Sequence, residues 1–350
     1  MTHRENKLRA VRFETPDHIP MSYSINSACW AHYPHEALFE LMESHSRLFP
    51  GYRRPPGPVQ PSFGNTSRAG APYRDDWGCV WETTENGIVG AVVEHPLASW
   101  DTFASYRAPD PGKVSGIGPL DWAGIAANIR RAKETGGLAA GGLVHGHTFL
   151  RLSDIRGYTN LILDMADDEP RLRELIRMVE EFNMGIVRRY LDLGVEWMGY
   201  AEDLGMQVGP MVSPEHFRTY IKPSYERLMK PARDAGIIVH MHSDGDIRDL
   251  VDDLIDGGVE VMNLQDLVNG IDWIRGRLAG RVCIDLDIDR QSVTRFGTPA
   301  AIEALIREEV EKLGSKKGGL MMIFGMYPGM PLENAKALMD AMERYMGFYA

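Results

Sequence analysis

The chain has 350 residues, 44% of them hydrophobic, which is enough to bury a substantial core as one large domain or two ordinary ones. Its net charge of −11, with no Lys/Arg cluster beyond Arg53-Arg54 and Lys316-Lys317, excludes nucleic acid and anionic membrane as expected partners. Three widely separated cysteines, Cys29, Cys79 and Cys283, form neither a disulfide framework nor a Cys-x-x-Cys metal motif, so a reducing compartment fits best.

The N-terminus, Met1-Thr2-His3-Arg4-Glu5-Asn6-Lys7, is charged and lacks an apolar signal core, and no later segment approaches about 18 uninterrupted apolar residues. A soluble cytoplasmic protein is expected. Ile19 to Ile25 reads as a first strand. Residues 50–118 then break any regular pattern, being rich in Pro, Gly and aromatics, with Trp77, Trp81 and Trp100 in a stretch of hairpins and loops. Such a segment is expected to be an insertion over a barrel mouth, its tryptophans either covering a substrate or simply packing.

From residue 137 onward, short apolar runs alternate with amphipathic helical stretches, the pattern of parallel β/α units. Leu138 to His145 precedes helices around 149–194. Glu196 to Asp203 precedes a helix that should start at Ser213-Pro214-Glu215, since Ser before Pro favours a helix start. Then come Ile237 to His242, Val259 to Leu264, Val282 to Asp287 and Leu320 to Phe324, the last followed by a helix from Glu333 to about Tyr345. With the first strand these make seven candidates. The economical fold is an α/β (β/α)8 TIM barrel with one weak strand, a single domain over 1–350.

In such barrels catalytic groups lie at the C-terminal ends of the strands, where this sequence is rich in polar residues. They are Asn26, then His145 and His147, then Glu202 and Asp203. His240, His242 and Asp244 follow, then Asn263 and Gln265, Asp285 and Asp287, and Tyr327. The run His240-Met241-His242-Ser243-Asp244 is the densest, because alternate residues of a strand share one face and three polar groups there need pairing or a ligand. Imidazoles and a carboxylate so placed could bind zinc or move protons. Glu202 and Asp203 are adjacent, so only one can point inward. His145 and His147 could equally be structural, and Asp285 and Asp287 could cap a following helix. No dinucleotide fingerprint, phosphate-cradling loop or Gly-x-Ser-x-Gly elbow is present.

Several of these segments resemble the uroporphyrinogen decarboxylase superfamily, in its corrinoid-dependent methyltransferase-like branch. They are Glu202-Asp203-Leu204-Gly205-Met206-Gln207, Ser213-Pro214-Glu215, His242-Ser243-Asp244-Gly245-Asp246-Ile247, Phe296-Gly297-Thr298-Pro299 and Pro331-Leu332-Glu333-Asn334-Ala335. Asp76-Trp77-Gly78, His95-Pro96-Leu97 and Pro109-Asp110-Pro111 extend the likeness upstream. The resemblance implies a (β/α) barrel. Porphyrinogen decarboxylases of the family carry a Met-Arg-Gln-Ala-Gly-Arg segment near the first strand; here Met21-Ser22-Tyr23-Ser24-Ile25-Asn26 stands instead, without the arginines a polycarboxylate needs. The family's zinc methyltransferases carry His-x-Cys and a later Cys. This chain has His242-Ser243-Asp244 and Phe324-Gly325-Met326-Tyr327, so both cysteines are absent.

The resemblance implies a methyltransferase that moves a methyl group from a small methoxy- or methylamine-type donor to a corrinoid on a partner protein. Catalytic roles fall to Asp203, His240, His242, Asp244, Asp287 and Tyr327, and substrate contacts to Asn26, His145, His147, Asn263, Gln265 and Asp285. Zinc, if bound, would use Glu202, His240, His242 and Asp244 as an oxygen- and nitrogen-rich Lewis-acid site. The alternatives are a decarboxylase or lyase acting on a smaller carboxylate, and a non-catalytic corrinoid- or tetrapyrrole-binding barrel. A homodimer is left open.

Overall fold

A computed structural model describes residues 1–350. In chain order the strands are β1 Met21–Ile25, β2 Tyr73–Arg74, β3 Val80–Glu82, β4 Ala91–Glu94, β5 Ala140–Gly142, β6 Trp197–Asp203, β7 Ile238–Asp244, β8 Val261–Gln265, β9 Cys283–Asp287 and β10 Leu320–Met326. β1 and β5 to β10 are the seven parallel strands expected, alternating with helices in the α/β barrel class. No eighth strand forms. The apolar run at 138–145 yields only the three residues of β5, because Gly141 and Gly142 bring no side chains to the pleat. A Cβ at Gly141 would lie 2.4 Å from the Tyr190 ring, so the short strand is fitted to that aromatic.

The chain folds as two compact units, one of Met1–Gly64, Glu85–Ile88 and Asn263–Ala350, the other of Asn65–Thr84 and Val89–Met262. In the second unit β6 pairs with β5 on one side and β7 on the other, with Gly199 opposite His240, Ala201 opposite His242 and Asp203 opposite Asp244. The period of two is plain in burial: Met198, Tyr200, Val239 and Met241 are wholly buried, while the residues between them are half-buried on the opposite face. The Tyr200 hydroxyl donates to the Leu228 carbonyl, which identifies the buried face as the one covered by the helix Lys222–Asp234. That helix is reached from Ser213, whose hydroxyl accepts from the His216 N–H at 3.2 Å just before Pro214, as the sequence predicts. The 23-residue helix Pro170–Asp192 starts on the same logic, with Pro170 following the Glu169 cap.

The irregular insertion holds a three-stranded antiparallel sheet in the order β2-β3-β4 and a 3₁₀ turn, Trp100–Ser105. Its tryptophans are packing elements. Trp77 is buried edge-on against Phe182, Trp81 donates its indole N–H to Asp75, and Trp100 lies under the guanidinium of Arg156 at 4.6 Å while donating to Asp164. Burial of Trp77 and Trp100, with Trp81 half-buried beside them, makes this segment part of the core of its unit.

In the first unit β10 pairs in parallel with β1 and with β9, with Ser24 opposite Gly325 and Asp287 opposite Ile323. All five residues of β9 are buried. The helices Pro299–Leu313 and Leu332–Tyr345 lie beside one another, the first capped by the Thr298 hydroxyl. An N-terminal helix, His3–Arg12, is tied to the start of β10 by the Gly319 N–H on the Ala10 carbonyl. No helix is long and apolar enough to cross a membrane.

Candidate active site

At the C-terminal ends of β6 and β7 two chain segments cross in backbone contact. The Gly205 N–H donates to the Asp244 carbonyl at 3.1 Å and the Asp246 N–H to the Met206 carbonyl at 2.7 Å. A Cβ at Gly245, where φ is +80°, would lie 2.2 Å from Gly205, and one at Gly205 would lie 2.5 Å from Gly245. Only glycine on both sides allows the crossing, and the crossing fixes Asp203 and Asp244. The Ser243 hydroxyl, on the buried face, accepts from the Leu204 N–H and secures the same junction.

Asp203 is the centre of the resulting group. Its Oδ1 lies 3.2 Å from His145 Nε2 and 3.5 Å from His242 Nε2, and it accepts from the Asp244 N–H at 3.0 Å. His242 Nε2 is also 3.6 Å from the Asp244 carboxylate, and the two imidazoles face each other with centroids 5.6 Å apart. Burial alone would raise the Asp203 pKa, but the hydrogen bonds from His145 and His242 outweigh it and hold the carboxyl well below its usual range. For His145, burial pulls the pKa down and the Asp203 carboxylate more than offsets it, so the net direction is upward. The result is an anchored carboxylate flanked by two imidazoles.

The neighbouring Glu202 points the other way. It is fully buried, and its two oxygens accept from the N–H groups of Thr148, Phe149 and Leu150, capping the helix Phe149–Arg156. Burial pushes its pKa up to about 7 against the pull of those N–H donors. His147 shares the pocket: its Nδ1 meets the Thr148 hydroxyl at 2.6 Å, its Nε2 has no hydrogen-bond partner, and burial depresses its pKa to about 3. His147 is therefore a neutral core imidazole beside Tyr225 and Tyr200. His240 shares a face with His242 and Asp244, as the alternation requires, but its ring lies against Trp197 at 5.1 Å. Three potential metal-ligand atoms come together from His145, Asp203 and His242, all within 4.8 Å of one another. Glu202 is not among them, because its strand direction commits it to the helix, and His240 is not, because it sits a step back along β7.

In the first unit Asn26 turns back on its own chain, its side chain accepting from the Ala28 N–H. The Asn263 amide donates to the Asp285 carbonyl, and the Gln265 carbonyl accepts from Asn269. The buried Asp287 holds Arg290 at 2.8 Å, and the Arg290 guanidinium lies 5.7 Å from the centre of the Tyr327 ring. Arg290 escapes a search confined to strand residues, although its spacing from Asp287 is a readable i, i+3 pair. The sequence reading also missed the ion pair of Arg151 with the wholly buried carboxylate of Asp75, and Asp154, whose pKa burial pushes up to about 7. Residues 76 positions apart carry no local signal of that pairing.

Over its full length the fold is similar to that of a methyltransferase from Methanosarcina mazei, with 100% of both chains covered, 18% identity and a TM-score of 0.67. A stretch of 140 residues, 38% of this chain, is 29% identical to the uroporphyrinogen decarboxylase of Thermus thermophilus, and the match spans 38% of that protein's length. Residues 76–345, a span that includes His145, Asp203, His242, Asp287 and Tyr327, match the uroporphyrinogen decarboxylase (URO-D) family model. The chain belongs to the uroporphyrinogen decarboxylase family.

Proposed function

We propose that the protein is a methyltransferase that moves a methyl group from a small methoxy- or methylamine-type donor to a corrinoid carried by a partner protein. The observation that carries this reading is the open His145–Asp203–His242 group: two imidazole nitrogens around one carboxylate, with the His145 side chain 50% exposed and Asp203 28% exposed. The full-length likeness to a methyltransferase and the lack of arginines near β1 both favour it over porphyrinogen chemistry.

Methyl transfer breaks the bond between the methyl carbon and the donor's oxygen or nitrogen, and the electron pair stays on that heteroatom. The leaving atom must be polarised or protonated as the bond breaks. His145 and His242 both direct Nε2 at Asp203 Oδ1, and a heteroatom that takes the place of that contact on either ring can accept its Nε2 proton. Asp203 holds both rings in that orientation and favours the charged form of His145. The same atoms fit zinc, since bonds of about 2.0–2.2 Å at tetrahedral angles separate ligand atoms by roughly 3.3–3.6 Å, close to the 3.2 and 3.5 Å found here. Zinc held by His145, Asp203 and His242 would supply Lewis-acid polarisation of the heteroatom.

The test combines metal content with turnover. Incubation with cob(I)alamin and a panel of methoxylated aromatics and methylamines should give the absorption of methylcobalamin with at least one donor. Stoichiometric zinc in the wild type, lost in His242→Ala and Asp203→Ala, would identify the ligands. No methylation with any donor, with zinc supplied, overturns the proposal. A second reading, decarboxylation of a small acid with a His145 or His242 proton, draws on the partial match to the Thermus decarboxylase. Release of carbon dioxide without corrinoid would select it.

A further inference from the structure

Within the second unit, the strand surface that leads away from the His145–Asp203–His242 group carries almost no side chains. β6 is paired with β5 on one side and β7 on the other, and Met198, Tyr200 and Glu202 on its helix-covered face are wholly buried. Gly199 and Ala201 alternate with those residues and are only half-buried, so solvent reaches them from the opposite face. That face runs from Asp203 through Ala201 and Gly199 to the buried Trp197, and the register sets Gly142 of β5 beside Gly199. Inward positions of parallel barrel strands are ordinarily filled by bulky branched residues, yet these three neighbours bring at most a methyl group. A Cβ on Gly199 would find only the Gly141 carbonyl oxygen at 3.7 Å and the Gly142 Cα at 3.9 Å, with nothing else within 4 Å. A strand glycine that no neighbouring side chain covers lets a ligand lie directly on the main chain. On β7, His240 and His242 stand opposite Gly199 and Ala201, and the His240 ring lies 5.1 Å from Trp197 at the deep end.

We infer that this bare floor of Gly142, Gly199 and Ala201 takes the aromatic ring of the methyl donor, so that the donor is an aryl methyl ether and Gly199 and Ala201 set its specificity. From Ala201 down to Trp197 the inward residues of β6 are uncharged, while the carboxylates of Asp203 and Asp244 stand level with each other at the upper end. A donor whose methoxy oxygen meets His145 or His242 can extend its body over Ala201 and Gly199. Asp203 and Gly199 are four residues apart on β6, about 13 Å along the strand. A ring lying flat on glycine main chain gains apolar contact over its whole face, and the His240 and Trp197 rings add aromatic edges at the deep end. A methylamine has a compact cationic body that Asp203 and Asp244 attract at the upper end, and it leaves the floor uncovered. The inference rests on the methyl-transfer reading for the group that the ring carries, and not for the binding of the ring.

Binding is measured on the full chain without corrinoid, so its outcome is separate from that of the methylcobalamin assay. 4-Methoxyphenol, its saturated counterpart 4-methoxycyclohexanol and trimethylamine are titrated calorimetrically into wild type, Gly199→Ala, Gly199→Leu and Ala201→Leu, with melting temperatures recorded for each. Wild type should bind the arene tenfold or more tightly than the saturated ether. Both leucine variants should weaken the arene at least tenfold, while trimethylamine binding, whether strong or absent, should not change. Gly199→Ala adds a methyl that meets only backbone at ordinary van der Waals distance, so it should keep the wild-type melting temperature and weaken the arene severalfold. No arene binding to wild type, or none of the preference over the saturated ether, overturns the proposal. So does wild-type arene affinity in Gly199→Ala and every folded leucine variant, or an equal loss of trimethylamine. Arene binding of the expected pattern with no methylcobalamin formed would overturn the methyl-transfer reading alone.

Discussion

Asp203 and Asp244 occupy equivalent register positions on β6 and β7, yet their surroundings separate their roles. Asp203 Oδ1 meets both imidazoles and the Asp244 N–H, while Asp244 reaches His242 only at 3.6 Å. Removing the charge of Asp203 leaves two imidazoles without a common anionic anchor, while the amide oxygen of an Asn can still accept from the Asp244 N–H. Asp203→Asn should therefore cut methyl transfer by about a hundredfold or more, and Asp244→Asn by about tenfold or less, in the cob(I)alamin assay with metal supplied. Equal losses would show that the His-x-Asp spacing matters more than the hub. Sequence alone left the choice between Glu202 and Asp203 open, because adjacent strand residues differ only in face and nothing local says which face is lined by helices. It did, however, place His145 among the candidates, and His145 joins Asp203 in space from another strand.

At the level of elements, the helix Phe149–Arg156 depends on a side chain from β6. Its first N–H groups have no intrahelical acceptors, and no side chain of its own segment caps them. Glu202 supplies both oxygens, so a strand-end carboxylate that sequence presents as a metal ligand acts as a buried cap. Glu202→Ala leaves three buried donors unsatisfied and should destabilise the protein by about 3 kcal/mol or more in urea unfolding. Glu202→Gln retains one acceptor oxygen and should cost about 1–2 kcal/mol. The same loop carries His145, so both variants should also slow methyl transfer in the order of their destabilisation. A Glu202→Ala protein as stable as wild type would remove the cap argument. The starts of these elements were readable where a side chain acts within its own segment, as at Ser213-Pro214. They were unreadable where the cap arrives from a strand some 50 residues away.

For the whole molecule, the strand-helix rhythm from residue 137 and the irregularity of 50–118 were legible because both are period and composition signals. The aromatic packing inside the insertion was not, since a buried and a substrate-covering tryptophan look alike in sequence. Charge was legible as a sum and not as a distribution. The net of −11 conceals carboxyl groups that folding places out of water, of which Glu309 is the extreme. It lies on the helix Pro299–Leu313, wholly buried, with neither oxygen bonded to a donor, and its neighbours Asp266, Asp289 and Glu308 are all acidic. Burial first, and the Asp266 charge second, push its pKa well above the usual 4.5. The unfolded chain releases this proton near 4.5 while the folded chain keeps it, so from that pH upward the unfolded state binds fewer protons and stability falls. The loss accumulates at about 1.4 kcal/mol per pH unit until the folded group itself ionises. Glu309→Gln is neutral at every pH and close in shape. Its unfolding free energy should match wild type near pH 4.5 and exceed it increasingly toward pH 8, as read from urea titrations at a series of pH values. Parallel wild-type and Glu309→Gln curves across that range would mean that Glu309 ionises in the folded protein as readily as in water.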